Sequence, residues 1–189
     1  NYTTAIMRGN LTAIDVEVPG DISSAAYPMV LAACLPGAHV TLKEVGVNPT
    51  RTGIITVMKD CGAAVTESQA RYGVEKVATI DVEYSPAMKP FNIGKELMPY
   101  LIDEIPVLAV MACFIGGESV ISGAEELKVK ESNRIDTTVG MLKAMGADIT
   151  ATPDGMIIRG GKGLKGGVTV DPHGDHRIAM SAAVAASLS

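Results

Sequence analysis

Hydrophobic and acidic residues alternate in the segment that leads into the first long apolar stretch of the chain. Ile14, Val16 and Val18 occupy every second position, and the residues between them are acidic. A period of two is typical of a strand with one buried face, so the pattern predicts a strand over residues 14–18. A Pro-Gly pair then turns the chain into Asp21, which we expect to cap a helix.

The next segment contains the signals of two helices and two strands in alternation. Apolar periodicity and turn residues predict a helix that ends at Pro36-Gly37, a strand through Val40 and Leu42, a helix from Asn48 to Gly62, and a strand from Val74 to Val82.

The same order of elements returns 82 to 84 residues later. The residues Asp21, Arg51, Gly62-Ala63 and Gly73 recur as Asp103, Arg134, Gly146-Ala147 and Gly155. The second copy predicts a helix from Glu104 to Ile115, a strand from Ser119 to Ile121, a helix from about Ser132 to Met145, and a hairpin through Asp154-Gly155. Each copy has the order βαβαββ, which predicts an α/β (α+β) fold built from repeated units.

The repeat also predicts how the chain is organised. We expect residues 1–189 to form a single, partial lobe, with repeat units at 12–90 and 97–170 and an incomplete third unit at 171–189. Repeated units pack in the same sense, so the N-termini of their equivalent helices should converge. Helix N-termini carry unpaired N–H groups and a partial positive charge, and several of them together favour a bound phosphate or carboxylate.

Composition narrows the class of protein. With 47% apolar and 20% charged residues the chain has a globular balance, and 16 Lys and Arg against 21 Asp and Glu give a net charge of −5. Only 4% of the residues are aromatic, so neither a basic surface nor a set of stacking rings is available for nucleic acid. The uncharged stretches are too short or too broken by Pro and Gly to predict a membrane segment.

The cysteines and the first residues carry further expectations. Cys34, Cys61 and Cys113 lack metal-ligand spacing and indicate a reducing compartment, so we expect no bound metal. The chain begins at Asn1 without an initiator Met or a signal sequence, which suggests a fragment.

Three charged segments fall at the predicted helix starts and contain the candidate site residues. They are Asp103-Glu104-Ile105-Pro106, Lys130-Glu131-Ser132-Asn133-Arg134 and Asp175-His176-Arg177. Arg binds a planar carboxylate or a phosphate through paired hydrogen bonds, and Lys acts as a point charge or as a proton carrier. The segments therefore indicate an anionic ligand.

Each segment also has a purely structural interpretation. Asp103 could be only a helix N-cap, because Asp21 and Asp175 hold the equivalent positions. Lys130 and Arg134 could belong to a solvated helix start. Like charges four residues apart repel each other, however, and an anion between them would relieve that repulsion.

Five phrases of the sequence, in this order, resemble the 5-enolpyruvylshikimate-3-phosphate synthases, also called 3-phosphoshikimate 1-carboxyvinyltransferases. The phrases are residues 19–26, 48–53, 101–108, 127–134 and 174–180. The resemblance runs almost end to end, and its most diagnostic parts are the second and third charged segments. It implies a fold of two lobes, each of three βαβαββ units, that close around the substrates. This chain would be most of the C-terminal lobe.

The resemblance also implies an activity, which is transfer of the enolpyruvyl group of phosphoenolpyruvate to the 5-hydroxyl of shikimate 3-phosphate. Phosphate is released, no cofactor is needed, and the step belongs to the shikimate pathway of aromatic amino acid biosynthesis. Asp103 would bind the shikimate hydroxyls and help to take the 5-hydroxyl proton, with Lys130 as a second candidate. Glu131 would protonate the methylene carbon of phosphoenolpyruvate, which requires burial or a neighbouring anion to keep Glu131 protonated. The resemblance assigns substrate binding to Arg134, His176 and Arg177.

Partners and location follow from the same resemblance. A further lysine of the family would fall beyond Ser189, and the N-terminal lobe would be a separate partner. We therefore expect weak binding of phosphoenolpyruvate by this chain and no detectable turnover. The intact protein is expected to be a monomer, cytoplasmic if the source is bacterial, that binds neither nucleic acid nor membrane.

Two other functions are compatible with the same residues. The related UDP-N-acetylglucosamine enolpyruvyl transferases share the architecture and use phosphoenolpyruvate, although the first two charged segments favour the shikimate branch. Alternatively the chain is a non-catalytic lobe-assembly module whose charges only cap helices.

Overall fold

The structure is a computed structural model that describes residues 12–73 and 75–189, together with Thr4 and Gly9. The helices in these residues are α1 (Ile22–Cys34), α2 (Gly53–Asp60), α3 (Ile105–Phe114), α4 (Arg134–Ala144) and α5 (His176–Ser187). The strands are β1 (His39–Gly46), β2 (Ala64–Tyr72), β3 (Lys76–Glu83), β4 (Asn92–Ile93), β5 (Gly117–Ile121), β6 (Asp148–Thr152) and β7 (Gly155–Gly160). Short 3-10 helices lie at Met98–Tyr100, Ile102–Glu104 and Glu125–Val129.

The strands form two sheets, one of three strands and one of four, and β1-β3-β2 of the first corresponds to β5-β7-β6 of the second. The first sheet has the order β1-β3-β2 and is antiparallel throughout. The second has the order β4-β5-β7-β6, in which only β4 and β5 are parallel. In each sheet the strand that comes last in the sequence lies between two earlier ones. This mixed α/β architecture confirms the predicted fold class, while the unit boundaries at 12–90, 97–170 and 171–189 stay predictions.

Two of the predicted helix caps are confirmed. Asp21 precedes α1, and its Oδ2 accepts a hydrogen bond from the backbone N–H of Ser24 at 2.9 Å. Asp175 precedes α5, and its Oδ1 accepts one from the backbone N–H of Arg177 at 2.9 Å. Both carboxylates satisfy a donor that the first helical turn leaves unpaired.

The second helix begins later than the sequence pattern predicts. It starts at Gly53, not at Asn48, because the Asn48 side chain accepts hydrogen bonds from the backbone N–H of Thr50 at 3.0 Å and from its hydroxyl at 2.9 Å. This local turn competes with helical backbone bonds, as Asn side chains commonly do.

The strand predicted over 14–18 is wrong. The structure has no ladder in residues 12–19, and Gly20 makes only an isolated parallel bridge to Val45 at the outer edge of β1. Ile14 and Val18 are 69% and 83% exposed. An alternating segment forms a strand only where it can pair with a sheet edge and cover an apolar surface. Residues 14–18 do neither.

The hydrophobic core is centred on α3. Every residue of α3 up to Cys113 is buried, and the helix packs against both α1 and α5. β7 approaches it so closely that a Cβ on Gly160 would overlap the carbonyl oxygens of Ala112 and Ile115. Because α3 is held from several sides, the turn at its N-terminus is fixed in position. Among the described residues, no helix has the length and apolar character needed to cross a membrane.

Candidate active site

Asp103 lies where three cationic side chains meet. Its Oδ1 accepts a hydrogen bond from Arg134 Nη1 at 2.9 Å, and its Oδ2 accepts one from Arg177 Nη2 at 3.3 Å. Lys130 Nζ lies 3.9 Å from the same Oδ1. The side chains come from the starts of α3, α4 and α5, so these helix starts converge as the repeat predicts. We call these four residues, together with Glu131, the Asp103 cluster.

The geometry does not support Asp103 as a helix N-cap. Asp103 lies inside the 3-10 turn Ile102–Glu104, and no side chain caps either that turn or α3. Pro106 occupies the first turn of α3, where its missing N–H needs no partner. The Asp103 carboxylate therefore faces the cations of α4 and α5 instead of its own helix.

Arg134 is almost completely buried and is surrounded by carboxylates. Its side chain is 1% exposed, and Nε donates to Asp175 Oδ2 at 2.8 Å. A second guanidinium nitrogen donates to Glu131, and a third to Asp103. Burial lowers the pKa of Arg134, but the hydrogen bond and charge of Asp175 and the charges of the other two carboxylates raise it above its usual value. Arg134 thus stays charged where it links the starts of all three helices.

Asp175 is the fully buried partner of Arg134. It caps α5, accepts from Arg134, and also accepts from the Ser132 hydroxyl at 3.0 Å. Burial raises the pKa of Asp175, but the hydrogen bonds from Arg134, from the Arg177 backbone and from Ser132 lower it below its usual range. The ionised Asp175 therefore joins the start of α4 to the start of α5.

The other members of the candidate site face solvent to different degrees. The side chains of Lys130 and Arg177 are 26% and 14% exposed, and Lys130 also lies 3.6 Å from Glu126. His176 is exposed at the first position of α5. The Glu131 side chain is 50% exposed, so the burial expected for it is not present in this chain.

This arrangement divides the predicted site residues into two groups. Lys130, Glu131, Arg177 and His176 can be reached by a ligand, whereas Arg134 is enclosed. Asp103 holds Arg177 and Arg134 in place before a ligand arrives. Cations that are fixed in this way bind an anion more strongly, because they need no reorganisation on binding. An anionic ligand that enters here would compete with Asp103 for Arg177 and Lys130.

Several residues contribute to the site in ways that the sequence does not indicate. The sequence assigns no role to Ser132 and only a helix cap to Asp175, because nothing in the local pattern shows that Asp175 is buried against Arg134. Tyr27 of α1 is close enough to Arg177 to be affected by its charge: burial raises the pKa of Tyr27, and Arg177 lowers it. The apolar run that contains Tyr27 gave no signal beyond a buried helix.

The thiols take no part in this site. Cys34, Cys61 and Cys113 are free in the structure. Burial raises the pKa of Cys34 and of Cys113 to about 12, with a smaller contribution to Cys34 from the other two thiols. Such thiols are poor nucleophiles near neutral pH. In the described part of the chain, no group of three or more His, Cys, Asp or Glu residues could hold a metal ion.

The sequence of this chain was compared with known protein families and with curated proteins. Residues 2–189 match the family model of EPSP synthase (3-phosphoshikimate 1-carboxyvinyltransferase). A 3-phosphoshikimate 1-carboxyvinyltransferase of Shouchella clausii (strain KSM-K16) is 55% identical over 185 residues, which are 97% of this chain and 43% of that protein. The one from Thermoanaerobacter sp. (strain X514) is 57% identical over 171 residues, which cover 90% of this chain and 40% of that protein.

Solved structures agree with the sequence match. An EPSP synthase from Acinetobacter baumannii superposes with a TM-score of 0.89 at 43% identity, covering 94% of this chain and 42% of that one. The enolpyruvyl transferase NikO from Streptomyces tendae superposes with a TM-score of 0.63 at 15% identity and shows the shared fold. The chain spans about two fifths of the length of the curated relatives it matches. With a family match along nearly its whole length, this chain belongs to the EPSP synthase family.

Proposed function

We propose that this protein transfers the enolpyruvyl group of phosphoenolpyruvate to the 5-hydroxyl of shikimate 3-phosphate and releases phosphate. The observation that carries the proposal is the Asp103 cluster, in which one carboxylate lies between Arg134, Arg177 and Lys130 at three converging helix starts. A hydrogen-bond acceptor for a hydroxyl and cations for an anion then stand side by side. The names of the relatives support this choice of reaction.

Addition is the first chemical step. Asp103 is partly exposed and can accept the hydrogen bond of the substrate hydroxyl, and Lys130 is a second acceptor for the proton when uncharged. Glu131 gives a proton to the methylene carbon of phosphoenolpyruvate, and the 5-oxygen forms a bond to the neighbouring carbon. In the second step the bond between the tetrahedral carbon and the phosphate oxygen breaks, and the Glu131 carboxylate left by the first step takes a proton from the new methyl group, which restores the double bond and releases phosphate.

Anion binding is assigned to Arg177, His176 and Arg134. Arg177 is partly exposed and His176 is exposed, so both can reach the ligand directly. Arg134 is enclosed by Asp103, Glu131 and Asp175. Its direct contact with the anion requires one of these carboxylates to give way, and Glu131 is the most exposed of them.

The half-exposed position of Glu131 supports a second lobe as a partner of this chain. A closed active site excludes water from the reacting groups, whereas half of the Glu131 side chain is open to solvent here. We infer that an N-terminal lobe covers the Asp103 cluster when both substrates are bound, and that the intact enzyme is a cytoplasmic monomer. The lobe formed by this chain is divided into units at 12–90, 97–170 and 171–189.

An NMR titration of the ¹⁵N-labelled chain with phosphoenolpyruvate, with and without shikimate 3-phosphate, tests the assignment. We expect amide shifts at Asp103, at 130–134 and at 175–177. Arg177→Ala should weaken binding by about tenfold or more, because a hydrogen bond to a charged group contributes ~1.5–3 kcal/mol. Arg159→Ala is the matched control, since this exposed arginine of β7 pairs with Glu118, away from the cluster. Equal affinities of the two variants would contradict the proposal.

Two further measurements separate the alternatives. Competition by shikimate 3-phosphate but not by a uridine nucleotide is expected for the shikimate branch. Release of phosphate by this chain alone at an ordinary enzymatic rate would show that no second lobe is needed.

A further inference from the structure

Glu104 is a buried acid next to the proposed catalytic Asp103. Its side chain lies in the turn that leads into α3 and is 2% exposed. Among the described residues, no donor lies within hydrogen-bonding distance of its Oε1. Buried polar atoms are nearly always hydrogen-bonded, and an unpaired one therefore calls for an explanation. None of the steps proposed above uses Glu104.

The surroundings of Glu104 connect it to the anion-binding residues. The Ser23 hydroxyl of α1 and the charges of Arg177, Arg51 and Asp103 all act on the ionisation of Glu104. Ser23 in turn accepts a hydrogen bond from Arg51 at 2.9 Å. Charged and titratable groups therefore act on Glu104 from its own turn (Asp103), from α1 (Tyr27), from α5 (Arg177) and from the turn before α2 (Arg51).

The ionisation of Glu104 shifts toward higher pH in this environment. Burial is the largest influence and raises its pKa, whereas the neighbouring Ser23 hydroxyl lowers it. The charge of Asp103 raises the pKa, and the charges of Arg177 and Arg51 lower it, leaving it above its usual value. Glu104 is therefore neutral over a wider pH range than an exposed glutamate, and it becomes negative as the pH rises.

The charge state of Glu104 alters what Arg177 can bind. Arg177 already donates to Asp103 at 3.3 Å. When Glu104 is neutral, the remaining positive potential of Arg177 is available to a ligand. When Glu104 is ionised, a second carboxylate from the same turn neutralises part of that potential.

We propose that Glu104 is a positioning residue that sets the anion affinity of the Asp103 cluster through its own charge. In its neutral form it leaves Arg177 to the ligand. In its ionised form it competes with the ligand for Arg177. This inference rests on the proposed function only for the identity of the anion, which is phosphoenolpyruvate.

The test compares the native chain with Glu104→Gln, which resembles the neutral form of the side chain. Sulfate is the probe, because its charge does not change from mildly acid to mildly alkaline pH. All other residues are the same in both proteins, so the ratio of their affinities isolates Glu104. The ratio should be near one at acid pH and rise to about tenfold in favour of Glu104→Gln at alkaline pH, which corresponds to about 1.4 kcal/mol. Glu96→Gln, at an exposed position, is the matched control and should follow the native profile.

A second measurement does not depend on a variant. In the native chain with ¹³C-carboxyl glutamate, saturating sulfate should move the titration midpoint of Glu104 upward by about one pH unit, because linkage is reciprocal. A residue with a merely structural role would give neither the changing ratio nor the moved midpoint.

The outcomes separate this inference from the proposed function. A constant affinity ratio, or a Glu104 midpoint that sulfate leaves in place, overturns the inference even where phosphoenolpyruvate binds at the cluster. The expected ratio with sulfate, combined with phosphoenolpyruvate that binds no more tightly than sulfate, supports the inference and contradicts the proposed function. Failure of both anions to shift any resonance of the cluster overturns both.

Discussion

Replacing Asp175 with Asn tests whether the buried pair with Arg134 holds the helix starts together. Asn is as good a helix cap as Asp, so the bond to the Arg177 backbone survives the change. The charge that faces Arg134 Nε at 2.8 Å is lost, and the new amide group places donors opposite donors. Removing one partner of a buried ion pair costs ~3–5 kcal/mol. Because Asn still accepts one hydrogen bond, we expect about 3 kcal/mol, a large part of the ~5–15 kcal/mol that stabilises a domain.

The matched control is Asp21→Asn at the equivalent cap of α1. Asp21 also accepts from a backbone N–H, but its side chain is 52% exposed and lies 3.8 Å from Arg51. An exposed pair of this kind contributes less than ~1 kcal/mol. Urea unfolding of the three proteins, followed by circular dichroism at neutral pH, measures both differences. Equal losses at Asp175 and Asp21 would refute the idea that burial of the pair matters.

The pH dependence of the same comparison has a defined sign. The pKa of Asp175 is lowered in the folded chain, so its stabilisation is present above the ordinary Asp pKa of about 3.9. It is lost as the pH falls through the lower folded value. The gap in unfolding free energy between the native chain and Asp175→Asn should therefore narrow in acid. A gap that widens there contradicts the assignment.

Two further predictions concern the core. Gly160→Ala should lower the free energy of unfolding in urea by ~1–3 kcal/mol. The new Cβ would overlap the carbonyl oxygens of Ala112 and Ile115, so β7 would have to move away from α3. Gly116→Ala, where a Cβ would meet nothing within 4 Å, should change the stability by less than ~0.5 kcal/mol, and equal losses would count against the close approach. The Cys113 thiol, whose pKa burial raises to about 12, should react with a disulfide reagent at neutral pH only after unfolding; rapid reaction of the folded chain would contradict its burial.

Local signals predicted those parts of the fold that depend on neighbouring residues. Asp21 and Asp175 precede their helices as expected, because a cap needs only the first turn that follows it. The start of α2 was placed too early because Asn48 uses its side chain in a turn, which apolar periodicity does not detect. The strand at 14–18 failed because pairing depends on a distant sheet edge.

The candidate site shows the same division between local and distant causes. The three charged segments could be identified because their residues are adjacent in sequence and chemically distinctive. The depth of each side chain could not be predicted: Arg134 is enclosed, Glu131 is half exposed, and Glu104 is buried beside a partly exposed Asp103. These differences arise from packing between α1, α3, α4 and α5, which are far apart along the chain.

The central position of the last strand in each sheet determines the order in which the sheets can form. β1 and β2 have no ladder with each other and both pair with β3, while β5 and β6 both pair with β7. During synthesis, the first sheet cannot close until residue 83 has left the ribosome, and the second must wait for residue 160. The helices of each unit have local contacts and can form before the sheet of that unit closes. A nascent chain that stops before β3 therefore leaves β1 and β2 without their common partner, and one that stops before β7 leaves β6 unpaired and one edge of β5 open. These open edges are where aggregation would begin.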